Sequence, residues 1–333
     1  PTNRPSLSQI APPVPRLHEG ATQFDQVVSA LPAASPVLIP DPMGRPVHAP
    51  LRHETVRAMS NSLLYLSHQD VQACAVTPRE ARQAVLAAFR DHAAGRNRSL
   101  PKSALALGPG HAFQAMTAAS QAQAIATVKW VASAPSQPGS SVPSVSALIC
   151  VSDYATGAPL AILDGDEITL VRTAAMSAAA ASLLAPEAPR TIGFVGCGLQ
   201  AHAHLAAFHD LFPDLASALL LSRSRSSAER LAEAAEARGL ATEIVDDPDI
   251  LLARSDLVIS MVPAAPGLRP FLDARRMKPA SFAAAVDTGR SWLPEALPTL
   301  DHLVTDSLAQ SQAPYDVDGQ PVASACFGHD LTT

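Results

Sequence analysis

Ile192-Gly193-Phe194-Val195-Gly196-Cys197-Gly198-Leu199-Gln200-Ala201 decides the fold. An apolar strand runs into a G-x-G-x-x-A loop and a helical pattern follows, the strand–turn–helix setting that gives such a loop its meaning. Gly196 permits the tight turn. Gly198 lets backbone N–H groups approach a pyrophosphate with no side chain in the way, and Ala201 lets helix and strand pack closely. Leu199 and Gln200 open the helix, whose N-terminal dipole suits phosphate oxygens. The loop therefore predicts a dinucleotide-binding Rossmann unit.

Beyond the loop, helices are expected over 199–212 and 227–239, with strands at 218–221, 242–245, 257–262, 281–286 and 303–304. Short β runs alternating with helices make a parallel sheet covered on both faces. Before the loop the rhythm differs. Runs at 126–131, 146–151 and 160–163 read as adjacent antiparallel strands, with a Pro/Ser/Gly loop over 134–143, and an Ala-rich helix follows over 170–184. An earlier helix starts after Thr77, with Pro78 in its first turn, Glu80 completing a capping box and Gly95 as its stop. Residues 1–60 are rich in Pro and Ser and read as an extended arm. The fold class is α/β: a Rossmann dinucleotide-binding domain over 187–306 plus an α+β substrate-binding and dimerisation domain over 1–186, to which 307–333 return.

The 333 residues are 47% hydrophobic and 16% charged, with a formal charge of −6. That supports two buried cores and argues against a nucleic-acid surface, which needs a clustered basic face. No uninterrupted apolar stretch of about 18 residues is present, so no membrane span is expected. The N-terminus lacks a signal-peptide layout. Cys74, Cys150, Cys197 and Cys326 are scattered with no C-x-x-C pair, so no metal site is read and a cytoplasmic protein is expected. His202 and His204 are two apart, off a common helical face, and make a poor metal pair.

An NAD site usually ends its second strand with an acid that binds the ribose hydroxyls. Here that strand ends Leu221-Ser222-Arg223-Ser224-Arg225. Arginine and hydroxyl groups match a 2′-phosphate, so NADP(H) is favoured and NAD(H) stays open. Met261 and Val262, closing the fourth strand, belong beside the nicotinamide ribose.

Four stretches occur in one order: Val128-Lys129-Trp130-Val131-Ala132-Ser133-x-Pro135, Asp153-Tyr154-x-Thr156-Gly157-x-Pro159, Val171-Arg172-Thr173-Ala174-Ala175-x-Ser177, and the Gly-Cys-Gly loop. The chain thereby resembles the ornithine cyclodeaminase/μ-crystallin superfamily from about residue 66 to 305. Within it the chain looks most like the branch containing N-(2-amino-2-carboxyethyl)-L-glutamate dehydrogenase.

The resemblance implies a homodimeric NAD(P)-dependent enzyme moving hydride at the Cα–N bond of a small amino or imino acid. Cyclodeaminase and ketimine reductase activities, and a non-enzymatic μ-crystallin-like binding role, are the alternatives. It implies that Arg172 and Lys129 hold the substrate carboxylate, with Lys102 near a second carboxylate position. Asp287, ending a strand at the ligand edge of the sheet, takes the general acid/base part, Lys129 is a second catalytic candidate, and Thr173 joins the cofactor site. It also implies a closing segment, of which Phe327-Gly328-His329-Asp330 is the start.

Overall fold

The structure is a computed structural model that describes residues 63–332 apart from 109–110, 135–142, 144, 264, 266, 312–326 and 328. The expected arm over 1–60 and most of the 134–143 loop lie outside the described residues.

The chain enters as β1 (Leu64–Leu66) and two helices, α1 (His68–Ala73) and α2 (Pro78–Ala93). Both helices carry a full capping box, Ser67 with Asp70 and Thr77 with Glu80, so the orphan N–H groups of each first turn are met by side-chain oxygen. Strands β2 (Asn97–Ser99), β3 (Ser103–Ala106), β4 (Ala112–Ser120), β5 (Ile125–Ser133), β6 (Val145–Asp153) and β7 (Pro159–Asp164) complete the first sheet. Its order is β1-β7-β6-β5-β4-β2, with β3 also on β4, and it is antiparallel apart from the β1–β7 pair. The three expected strands are the centre of this sheet, each longer than expected. Strand β4 was not foreseen, because Ala-Phe-Gln-Ala-Met-Thr-Ala-Ala-Ser is poor in the β-branched residues that mark a strand.

Helix α3 (Asp166–Leu184) starts four residues earlier than expected, and this puts Arg172 in its second turn. By length and composition α3 is apolar enough to cross a membrane. Here Ala174, Ala178 and Ala181 lie in one core with Phe194, Leu205 and Phe208. The small side chains let α3 pack closely on the next helix.

The second sheet is parallel, in the order β10-β9-β8-β11-β12. Its elements are β8 (Thr191–Val195), α4 (Leu199–Leu211), β9 (Ser217–Leu221), α5 (Arg225–Glu236), β10 (Ala241–Ile244), α6 (Pro248–Arg254), β11 (Leu257–Ser260) and β12 (Phe282–Ala285). The strand order reverses between β8 and β11, the topological switch point where open α/β sheets bind ligands. The short run expected at 303–304 is β13 (Val304–Thr305), but it does not join this sheet. It pairs in parallel with β14 (His329–Asp330), after α7 (Leu308–Ser311). The charge of His92, on α2, acts on Asp330. Residues 61–333 form one compact unit, clamped across its halves by Arg82 on α2, whose Nη1 lies 2.8 Å from Asp210 Oδ2 on α4.

Candidate active site

The glycine loop crosses the ligand edge of the parallel sheet. Gly196 has φ +95°, and a Cβ there would stand 2.9 Å from the Met261 carbonyl oxygen, so only glycine fits between the two strand ends. Met261 is therefore placed against the loop through its backbone. A Cβ added at Gly198 meets nothing within 4 Å, which leaves an open cradle over the N-terminus of α4. The first turn of α4 carries no acid, and Ala201 is fully buried. Loop, helix and cradle fit a dinucleotide pyrophosphate. Burial pushes the Cys197 thiol up to about 11, so it sits in the loop as a packed, inert side chain.

At the end of β9, Ser224 caps α5 and Arg225 spends its charge on Glu229, 3.0 Å away. Both guanidinium groups are exposed, and Arg223 is the one without an ion-pair partner among the described residues.

On the other half, Lys129 in β5 reaches α3, where its Nζ donates to Thr169 Oγ1 at 2.6 Å. Arg172 lies one turn further along the helix, so both cations stand on one face. Burial, with the neighbouring Arg172 and Lys102 charges, brings the Lys129 ammonium down to about 8 against the pull of Asp166. Burial also lowers Lys102, helped by Arg172 and Arg290 and opposed by Asp306. Arg172 is lowered by burial, with Asp306 again opposing. Lys102, Lys129 and Arg172 are thus one electrostatic cluster. Asp306 and Arg290 are its further members; sequence reasoning missed Asp306, which follows a strand only two residues long.

Asp287 is placed differently. It is buried, 5% exposed, and its carboxylate accepts from four donors. Ser260 Oγ and the Gly289 N–H reach Oδ1 at 3.2 and 3.1 Å, while Ser291 Oγ and the Val262 N–H reach Oδ2 at 2.6 and 3.3 Å. Four donors fill the lone-pair sites of a carboxylate. In this arrangement Asp287 anchors the turn after β12 to the end of β11. A general acid/base part would require one of the four donors to leave. Val262, expected beside the cofactor, is held by this anchor.

Thr173, assigned to the cofactor site, donates its hydroxyl to the Thr169 carbonyl within α3 at 2.6 Å. Gln200, in the first turn of α4, donates its side-chain amide to that same carbonyl at 3.4 Å, while its own Oε1 is buried with no partner. His202 is half-buried and His204 fully buried. Among the described residues no group of acidic, His and Cys side chains is arranged to hold a metal.

Residues 63–300 match the family model described as ornithine cyclodeaminase/mu-crystallin family. The chain belongs to that family. It is 29% identical to the alanine dehydrogenase of Archaeoglobus fulgidus over 252 residues, 75% of each chain. It is 30% identical to the ketimine reductase mu-crystallin of Mus musculus over 175 residues, 53% of this chain and 54% of that one. Among solved structures, an archaeal alanine dehydrogenase dimer with bound NAD superposes with a TM-score of 0.67 at 27% identity, covering 75% of this chain and 76% of that chain. The chain is thus a member of an enzyme family with a Rossmann-like domain, its relatives include a dehydrogenase and a ketimine reductase, and the archaeal neighbour binds NAD.

Proposed function

We propose that the protein transfers hydride at the Cα–N bond of an amino or imino acid with more than one carboxylate, an activity like that of N-(2-amino-2-carboxyethyl)-L-glutamate dehydrogenase. The observation that carries this reading is the convergence of Lys102, Lys129 and Arg172, largely removed from water, in a unit that also holds a dinucleotide loop. One α-carboxylate is fully met by the planar fork of Arg172 with one ammonium. The additional cationic charge suits a second carboxylate.

The nicotinamide, when bound, supplies the hydride chemistry. This chain's residues orient and exchange protons. Arg172 holds the carboxylate, Lys129, titrating near neutrality, passes a proton to or from the substrate nitrogen, and Asp287 keeps the β12 turn in place. NADP(H) is the preferred dinucleotide in this reading, with Arg223, Ser222 and Ser224 around the 2′-phosphate.

A homodimer is part of the same reading. Trp130 and Leu148 are paired neighbours on the face of the first sheet opposite Lys129, 42% and 47% exposed, and Phe113 stacks on Trp130 at 5.6 Å. An exposed aromatic and aliphatic patch on a sheet face suits a second copy, and the archaeal relative is a dimer.

Absorbance assays at the reduced-nicotinamide band test the reading, with amino acids, and keto acids plus amines, supplied with NADPH and NADH. Oxidation of NADPH fastest with a dicarboxylic substrate is expected. Ammonia release from ornithine with no net change in the dinucleotide would identify a cyclodeaminase instead.

A further inference from the structure

We propose that Thr169 is the positioning residue of the site: its hydroxyl fixes one N–H of Lys129 and so makes the lone pair, or the transferable proton, of that amine face away from α3. The idea rests on the reading of Lys129 as the group that moves a proton.

The argument is one of donors and acceptors. A threonine hydroxyl has one proton and two lone pairs. Thr169 Oγ1 lies 2.5 Å from the Gly165 carbonyl oxygen, which can only accept, so the hydroxyl proton is committed there. Toward Lys129 Nζ, 2.6 Å away, Oγ1 has only a lone pair to offer. Lys129 must therefore donate to Thr169 whether it is an ammonium or an amine. When it is an amine, its own lone pair is directed elsewhere.

The mount beneath this contact is stiff. A Cβ at Gly165 would stand 2.9 Å from Ala147 Cβ, so the junction before α3 lies hard against β6. Gly165 N–H donates to the Ala147 carbonyl at 2.8 Å, and Ala147 N–H donates to Asp166 Oδ1 at 2.7 Å. Asp166 N–H in turn donates to Asp164 Oδ1 at 3.0 Å. Strand β6 is the neighbour of β5, which carries Lys129. The Thr169 carbonyl also accepts the Gln200 amide from the glycine-loop helix at 3.4 Å. One residue thus ties the proton-bearing lysine to the sheet on one side and to the dinucleotide loop on the other. The charged groups acting on Lys129 are Arg172 on α3, Lys102 beside β3 and Asp166 at the start of α3.

The test uses the full chain and Thr169→Val, which keeps the shape and removes the hydroxyl, beside Thr169→Ser, which restores it. Thr169→Ala serves if the valine is not accommodated. The ionisation of Lys129 is read without any substrate, by pH-dependent competitive acylation with acetic anhydride and mass spectrometry of the Lys129 peptide. Loss of an acceptor that stabilises the ammonium should move the midpoint down by about half a unit or more in Thr169→Val and leave it in place in Thr169→Ser. With the substrate found by the assay above, kcat/KM should fall on the order of tenfold to a hundredfold in Thr169→Val, with its pH limb moved likewise, and recover in Thr169→Ser. NADPH affinity, measured by fluorescence, should stay within about threefold. An unmoved labelling midpoint in the hydroxyl-less variant overturns the proposal, as does lost turnover that serine fails to restore. If no substrate turns over, the reading of the reaction fails while the labelling result still decides the role of Thr169.

Discussion

His204 Nε2 lies 3.0 Å from the Ser177 hydroxyl, joining the helix that opens the glycine loop to the helix that carries Arg172. The other ring nitrogen, Nδ1, lies 2.7 Å from the Gln200 carbonyl, so the ring donates there and accepts from Ser177. Burial brings His204 down to about 4, against the pull of the Gln200 carbonyl. Above about pH 6.5 the imidazole is neutral both folded and unfolded and adds no pH dependence. Below that the unfolded chain takes up a proton that the folded one refuses until about 4, so stability falls as pH falls through this window. The whole window amounts to about 3 kcal/mol. Thermal melting from pH 7 to 4.5 should therefore be steeper in the wild type than in His204→Gln, which does not titrate. Parallel melting curves would remove His204 as the cause.

Asp287→Asn separates two roles for that carboxylate. Its four donors make it the anchor of the β12 turn, and an amide nitrogen cannot accept from two of them. Each buried donor left without an acceptor costs about 1–3 kcal/mol. The variant should melt on the order of 5 °C or more below wild type, with dinucleotide affinity and turnover falling together. A general acid/base group would behave otherwise, losing turnover with melting and binding intact, and that result would return Asp287 to the chemistry.

The parts of this molecule that were legible in its sequence are the local ones. Gly196, Gly198 and Ala201 act on their own strand and helix, so the motif and its period were enough. Thr77 with Glu80 is likewise a contact three residues long. Strand β4 escaped because its alanines carry no strand preference, and it holds its place through pairing with β5. The partner of Val304 is His329, beyond the reach of any local pattern. The four donors of Asp287 come from the end of β11 and the turn after β12, so its saturation is a property of the assembled sheet edge. Thr169 stood in plain view three residues before Arg172, at helical spacing, but the hydroxyl acquires meaning only once β5 brings Lys129 to it.

In the proposed reading, dinucleotide choice turns on Arg223. Arg225 is paired with Glu229, and Arg223, exposed at the end of β9, is in no ion pair among the described residues. A charge-assisted hydrogen bond to a phosphate contributes about 1.5–3 kcal/mol. Arg223→Ala should therefore weaken NADPH on the order of tenfold to a hundredfold, in fluorescence titrations at fixed ionic strength, and leave NADH within about twofold. Equal weakening of both dinucleotides would place Arg223 away from the 2′-phosphate.

In the proposed homodimer, the exposed face of the first sheet gives the strongest leverage on assembly. Trp130 and Leu148 are cross-strand neighbours there, with Val128 and Cys150 paired beside them. A second copy docked on this face by a two-fold axis repeats every contact, so each substitution counts twice. A well-buried tryptophan contributes about 2 kcal/mol at such an interface. Trp130→Glu should then raise the dimer dissociation constant on the order of a thousandfold. Lys129, adjacent in β5, points to the opposite face, so the circular dichroism spectrum and dinucleotide binding should survive the change. Sedimentation velocity at micromolar concentration reads the result: a dimer for the wild type and a monomer for the variant. A dimer that persists in Trp130→Glu assigns the contact to another surface, and a wild type that sediments as a monomer leaves the patch without a second copy.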